Sequence, residues 1–445
     1  MNSGLITNKM LLAAIIACLP SICRTQPLTL EAAIRLGLQN RPELQAQQLQ
    51  IQLAAGENDK IKAKWMPQIS GTADVRWNTQ LQTSVLPIGK FGIPGVPTDE
   101  VRTLQMGLPF NNALGLQLNQ KIYDPSAKND RMINDAQTAQ QQNSLEQIQI
   151  NLRYDIAEAY YAVLFNQERI ELARQALDRA ALNLQVAQNQ LKDGTALPND
   201  VDRFRLDVSN ARFSLSKAQQ DLDLSLDNLR YRIRVTPESP VELADKLAGI
   251  LQSDTAVAQA RADQRVEIRS EQTALQLNAL NEKKELLRHH PTVSGYANYT
   301  LLQLHDKFNP FASGTWFPYN YIGVKADIPI YDGRQSRLAA ADFGLRQQVN
   351  RANLEKIKAD IGYELKSQLK NLQQARLDLL SSRDNVTLAR KVFETDRFRF
   401  EKGVLKQTDL KNSEFSLQSA ENNYLSSVYN FLIAHLKYKK AAGIL

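Results

Sequence analysis

Cysteine is almost missing from this chain. Cys18 and Cys23 are its two cysteines, and both lie within the first 23 residues. That excludes a disulfide framework for the folded part. Histidine is nearly as scarce: His289, His290, His305 and His435 have no ligand spacing with carboxylates or cysteines, so no metal site is expected. The pair His289-His290 suits a helix end before Pro291, where cations favour the dipole. No phosphate loop, nucleophile elbow or dinucleotide fingerprint occurs, so neither an active site nor a cofactor is expected. The net charge of +7 is spread among acids and bases along every helical stretch, without the basic block that nucleic acid requires. After the first 23 residues no apolar run reaches the roughly 18 residues of a membrane helix. Proline and glycine are absent between Ala127 and Lys192.

That last absence frames the main element. From Ile170 the apolar positions are Ile170, Ala173, Leu177, Ala180, Leu184, Ala187 and Leu191, a 3-4-3-4 coiled-coil spacing. The same stripe runs upstream through Leu145, Ile148, Leu152, Ile156, Ala159 and Val163. The spacing predicts a helix on the order of 100 Å long. Lys192-Asp193-Gly194 supplies its C-terminal cap, and Pro198-Asn199-Asp200 restarts a helix with a carboxylate in its first turn. The returning helix keeps the seam from Val201 and Phe204 to Leu229 and Ile233, giving an antiparallel hairpin.

Residues 1–23 have the form of an export signal: Lys9 precedes an apolar run from Met10 to Leu19. Cleavage after Cys23, with Ser21 at the third position before it, leaves a chain without cysteine. The alternative reads Ile15-Ile16-Ala17-Cys18 as a lipobox, with Cys18 lipidated. Any membrane insertion of the mature chain is by strands or lipid.

Next come a short capped helix from Leu28 and a second from Pro42 to about Lys64. A period-2 segment follows, with Ile69, Gly71, Ala73, Val75 and Trp77 on one face and Ser70, Thr72, Asp74, Arg76 and Asn78 on the other. The stretch from Pro87 to Pro97 reads as loop. A second alternating strand carries Leu114, Leu116, Leu118 and Ile122 before Tyr123-Asp124. The pattern then recurs. Arg41-Pro42-Glu43-Leu44 is answered by Arg265-Val266-Glu267-Ile268, and Tyr123-Asp124 by Tyr331-Asp332. Gly194 and Asp200 are answered by Gly403 and Asp409. The later strands are expected at Val293, Gly295, Ala297, Tyr299, Leu301 and at Ile322, Val324, Ala326, Ile328, Ile330. In each half the two shorter helices, stacked end to end, nearly match the long one. The chain thus divides into a signal (1–23), a first repeat (24–234), a linker (235–264) and a second repeat (265–445), each repeat holding a helix, two strands and a long hairpin.

About ten alternating residues suit a tilted membrane strand, and aromatics near the strand ends suit an interfacial girdle. A soluble half-buried sheet has the same period; the export signal and the long inter-strand loops favour the barrel. Four strands cannot close a barrel, and an open edge is forbidden in lipid. A membrane sheet would therefore be shared, most simply as twelve strands from a trimer; a dimer would also close.

Taken together these features resemble the TolC family of outer-membrane efflux proteins. The resemblance rests on Leu28-Thr29-Leu30-Glu31-Ala32-Ala33-Ile34 with Asn40-Arg41-Pro42-Glu43-Leu44, on the two Tyr-Asp pairs and on the tips Gly194 to Asp200 and Gly403 to Asp409. It implies a mainly α fold with a membrane β-barrel part: a trimeric twelve-stranded barrel in the outer membrane and an α-helical barrel reaching into the periplasm. Its implied work is passive export of drugs, metals, other small molecules or proteins. They would be delivered by an inner-membrane pump of RND or ABC type and a periplasmic adaptor, the membrane fusion protein. Asp200 and Asp409 fall where the family places constriction acids, although both positions also suit helix capping. Phe400, Leu405 and Asn412 stand where the best-known member has Tyr, Arg and Asp linking neighbouring hairpins, so a closure by apolar packing is expected here. Gly194, Leu197, Gly403 and Thr408 would meet the adaptor. A type I secretion duct is the runner-up; a periplasmic adaptor-like coiled-coil protein with a soluble sheet is the alternative of another class.

Overall fold

A computed structural model describes residues 27–92, 94–253, 260–312 and 314–445. The expected export signal, residues 1–23 with Cys18 and Cys23, lies outside them. In chain order the elements are α1 (Leu30–Asn40), α2 (Pro42–Ala63), β1 (Gln68–Trp77), β2 (Gln82–Leu86), β3 (Arg102–Met106), β4 (Phe110–Tyr123), α3 (Ala127–Lys192) and α4 (Pro198–Ile233). Then follow α5 (Leu247–Ser253), α6 (Val266–Leu287), β5 (Thr292–His305), β6 (Trp316–Asp327), α7 (Gln335–Glu401) and α8 (Gln407–Ala441).

Local chemistry explains the boundaries. Thr29 caps α1, its hydroxyl accepting from the Ala32 amide at 3.2 Å. Pro42 opens α2 at the first helical position, where its missing N–H costs nothing. The two Tyr-Asp pairs end in caps. Asp124 accepts from the amide and hydroxyl of Ser126, and Asp332 from the amide and hydroxyl of Ser336. Both carboxyls are held below the usual range. Around Asp124 the bonds from Lys121 and Ser126 outweigh burial; at Asp332 the Ser336 bonds lead.

α3 has 66 residues and α7 has 67; the helices beside them have 22 and 36, and 22 and 35. α2 and α4 both lie along α3, while α6 and α8 both lie along α7. α3 also touches α6 and α8, so the layer reads α4–α3–α8–α7 towards the tips and α2–α3–α6–α7 towards the sheet. The 3-4 seam is real: Ala180 and Ala187 are buried, and Ile170, Ala173, Leu177, Leu184 and Leu191 are partly buried.

The main core lies where α3 meets α1, the end of α4 and the end of α8, around Ile156, Tyr160, Val163, Leu229, Ile233 and Leu432. Gly37 lets α1 approach, since a Cβ there would stand 2.2 Å from Ile156 Cδ1. The Tyr160 hydroxyl donates at 2.8 Å to the Leu28 carbonyl and to Asp245, pinning the chain start to the linker. A second core, described below, joins the tips.

Two features go beyond or correct the sequence expectations. The Pro87–Pro97 loop is flanked by a two-stranded ladder, β2 with β3, and a short 3-10 turn, Ile88–Phe91, lies within it. The last strand ends at Asp327, leaving Ile328 and Ile330 outside it and exposed. Pro329 supplies the reason: it has no N–H to continue a ladder.

The sheet, the tips and the family

Four antiparallel strands form one sheet in the order β1-β4-β5-β6, so β1 and β6 are its edges. Register sorts the side chains. Ile69, Val75, Leu114, Leu116, Leu118, Tyr299, Leu301, Ile322 and Val324 share one face. Ser70, Thr72, Asp74, Arg76, Gln117, Asn119, Asn298, Thr300, Tyr321 and Lys325 share the other. The apolar face is bare: Ile69 is 70% exposed and Ile322 88%. A face of that size left to water would be unusual. Among the described residues no helix is long and apolar enough to cross a membrane.

At the far end the two hairpin tips are built alike. Gly194 (φ +72) follows α3; its N–H reaches the Leu191 carbonyl and that of Thr195 the Gln190 carbonyl. Gly403 (φ +71) follows α7 with the same bonds, to Phe400 and from Val404 to Arg399. Each is a Schellman cap, which needs a left-handed residue at that point. After the first turn, Leu197 takes the N-cap position with no side-chain acceptor, and the Asp200 carboxylate accepts its amide at 3.2 Å. Asp200 therefore caps α4. Asp409 holds the matching third position of α8 and is exposed.

Phe400 turns inward. Its ring lies 5.9 Å from that of Phe204, and around the pair close Val201, Ala187, Phe393, Leu410 and Leu417. Leu405 packs on the border of this core, partly buried. Gln190 donates to the Phe400 carbonyl and Gln407 to the Asp200 carbonyl, each at 3.2 Å, tying hairpin to hairpin. Thus Phe400 and Leu405 share one cluster. Asn412, Thr408, Gly194, Leu197 and Gly403 are exposed around it. A cleft of about 620 Å³ opens between the tips, lined among others by Thr195, Arg203, Leu405 and Thr408.

Above the apolar core lies a polar one that the sequence reading missed. Buried Glu421 takes Arg179 of α3 at 3.1 Å and Arg390 of α7 at 3.2 Å. Asn183 donates to Glu414 at 3.1 Å, and Lys411 pairs with Asp207 at 2.8 Å. Burial pushes the Glu414 carboxyl up, with nearby Asp207 adding to it against Arg179, Asn183 and Lys411. The available signal was Arg179 and Asn183 flanking the seam alanine Ala180 on one helical face. No group of three or more His, Cys, Asp or Glu fit for a metal occurs among the described residues.

Comparison with known proteins gives the same direction. Residues 33–232 match the family model "Outer membrane efflux protein". The alkaline protease secretion protein AprF of Pseudomonas aeruginosa is 24% identical over 310 residues, 65% of this chain and 61% of the relative. The cobalt-zinc-cadmium resistance protein CzcC of Cupriavidus metallidurans is 29% identical over 198 residues, 44% of this chain and 40% of the relative. The chain thus matches about three fifths and two fifths of those relatives' lengths. In fold it is similar to CusC, whose crystal structures concern transmembrane channel formation: TM-score 0.75 at 15% identity, covering 93% of this chain and 91% of that one. Residues 33–232 thus resemble the outer membrane efflux protein family, and the chain shares its fold with CusC.

Proposed function

We propose that the protein is a passive outer-membrane channel-tunnel, exporting drugs, metal ions or other small molecules that an inner-membrane pump and a periplasmic adaptor deliver. The observation that carries this is the open sheet. Its bare apolar face suits lipid, its polar face suits an aqueous bore, and lipid tolerates no unpaired edge. Both the sheet and the helical layer are open on the same two sides, β1 with α2 and α4, and β6 with α7. Copies joined head to tail close both at once. Three copies give twelve strands, and the helices, ~100 Å long, reach far into the periplasm.

In this reading residues 1–23 direct export, 24–234 and 265–445 are duplicated units and 235–264 links them. The tips form the gate. Asp200 and Asp409 would ring the constriction, Phe400 and Leu405 supply apolar closure in place of a polar latch, and Asn412 borders it. Gly194, Leu197, Gly403 and Thr408 offer the adaptor an exposed end. A type I protein-secretion duct is the second reading, favoured by the likeness to AprF.

Planar-bilayer recording of the detergent-purified protein is the test. Discrete ion-conducting steps are expected, rising in frequency for Leu405→Ala. Recovery from the soluble periplasm without conductance would favour an adaptor-like protein instead. Unchanged conductance and drug leakage in Leu405→Ala would remove the apolar plug.

A further inference from the structure

The aromatic side chains of β6 do not all join Trp77 and Tyr299 on the apolar face of the sheet. Phe317, Tyr319 and Tyr321 pair with Leu302, Thr300 and Asn298, which puts them on the polar face. There they stand 58%, 48% and 49% exposed. Alternate residues of a strand lie roughly 7 Å apart, so the three rings form a file along one edge of the sheet. Tyr296 of β5 extends it: its ring meets that of Tyr321 edge-on at 5.9 Å. The same phenol lies over Gly323, where a Cβ would come within 2.5 Å of it.

The fold does not require these rings. The first strand pair has the same notch, with Thr72 opposite Gly115, where a Cβ would stand 2.7 Å from the Thr72 hydroxyl. Counting back two and four residues from each glycine reaches Ala113 and Asn111 in β4, but Tyr321 and Tyr319 in β6. One strand pair is thus built with small and polar groups where the other has aromatic ones. The charges of the sheet cancel locally as well. Asp74 holds Arg76, Asp124 holds Lys121 and Asp327 holds Lys325, each at 2.8 Å. Those three are the lysines and arginines of the four strands, so no unpaired cation competes for the negative faces of the rings.

We propose that Phe317, Tyr319, Tyr321 and Tyr296 form a binding track for planar aromatic cations on the wall of the bore. This rests on the channel reading above, which turns the polar face of the sheet inward. A flat cation can stack on one ring while its charge sits over the next, gaining both ring contact and the pull of the π face. A small ion that keeps its shell of water gains neither. Exposed contacts of this kind are individually weak, so the track slows passage without trapping the solute. Several copies would alternate a hydroxyl and amide stripe from β1 and β4 with a ring stripe from β5 and β6.

The probe is ethidium, read in planar bilayers as block of the unitary current and in phosphatidylcholine nanodiscs as dye fluorescence against empty discs. Tyr319→Thr with Tyr321→Thr leaves β-forming side chains without rings at two exposed positions. It is expected to keep the oligomer mass and the unitary conductance, and to raise the half-blocking ethidium concentration about tenfold, the scale of two exposed cation–ring contacts. Asn111→Tyr with Ala113→Tyr places rings on the first strand pair and is expected to lower that concentration. Tetramethylammonium, a cation without a ring, and naphthalenesulfonate, a flat anion, should block neither protein at the same concentrations. Equal ethidium block with and without the two tyrosines overturns the proposal. So does an unchanged value in the ring-adding variant, or equal block by either control ion. Absence of conductance in the unsubstituted protein strikes at the channel reading itself, while dye binding in discs, lost or kept in the threonine variant, still judges the track.

Discussion

Phe400 shows how one side chain can decide the behaviour of a tip. The phenyl ring has no hydroxyl to bond across to a neighbouring hairpin, so its free energy comes from burial against Phe204, Phe393 and Leu410. Phe400→Ala is expected to cost about 3–5 kcal/mol of local stability by leaving a cavity. Hydrogen exchange at the tip amides should accelerate while the main core around Tyr160 stays protected. The Glu414 carboxyl carries a different signature. Its folded pKa is raised from 4.5 by burial, so the folded state holds its proton more tightly than the unfolded chain. Its contribution is fully present below pH 4.5 and is lost as pH rises through the raised value. Glu414→Gln keeps an acceptor for Asn183 without the charge. Melting temperatures should then match the unsubstituted protein below pH 4.5 and exceed it at neutral pH. An identical difference at both pH values would contradict this assignment.

At the scale of elements most of the architecture was legible in the sequence, because long periodic segments report their own burial. The positions from Ile170 to Leu191 predicted the hairpin seam, and Gly194 and Gly403 predicted its turns. Left-handed φ values of +72 and +71 give those glycines their reason. Gly403→Val should cost about 1–2 kcal/mol at the turn and expose residues 402–407 to limited proteolysis, leaving the 66-residue α3 untouched. Cleavage no faster than in the unsubstituted protein would show the strain to be absorbed elsewhere. Less was legible where a short segment relies on a partner. β2 and β3 have five residues each, too few for alternation to stand out against Pro87 and Gly89. Pro329, two residues past the end of β6, interrupts an alternation that by itself continues through Ile328 and Ile330. The site was legible only in part. Seam residues such as Phe204 were found as packing, but the arginine pair on Glu421 depends on three helices meeting, which no single period reveals.

For the whole molecule, the single chain is an unfinished surface. Its sheet has one apolar face and two free edges, and its helical layer ends on the same two sides. In the proposed oligomer, strand pairing between β6 of one copy and β1 of the next would satisfy the backbone that lipid cannot. Closure of the helices would then follow from the same rotation, since nearly equal lengths in α3 and α7 would bring every tip to one level. In the proposed function export would draw its energy from partners, and the chain would supply a path and a gate. The most direct measurement is the mass of the detergent-purified protein, taken with light scattering that separates protein from bound detergent. The account predicts a uniform particle of three chains that survives dilution. A stable single chain, folded and free in buffer without detergent, would contradict it.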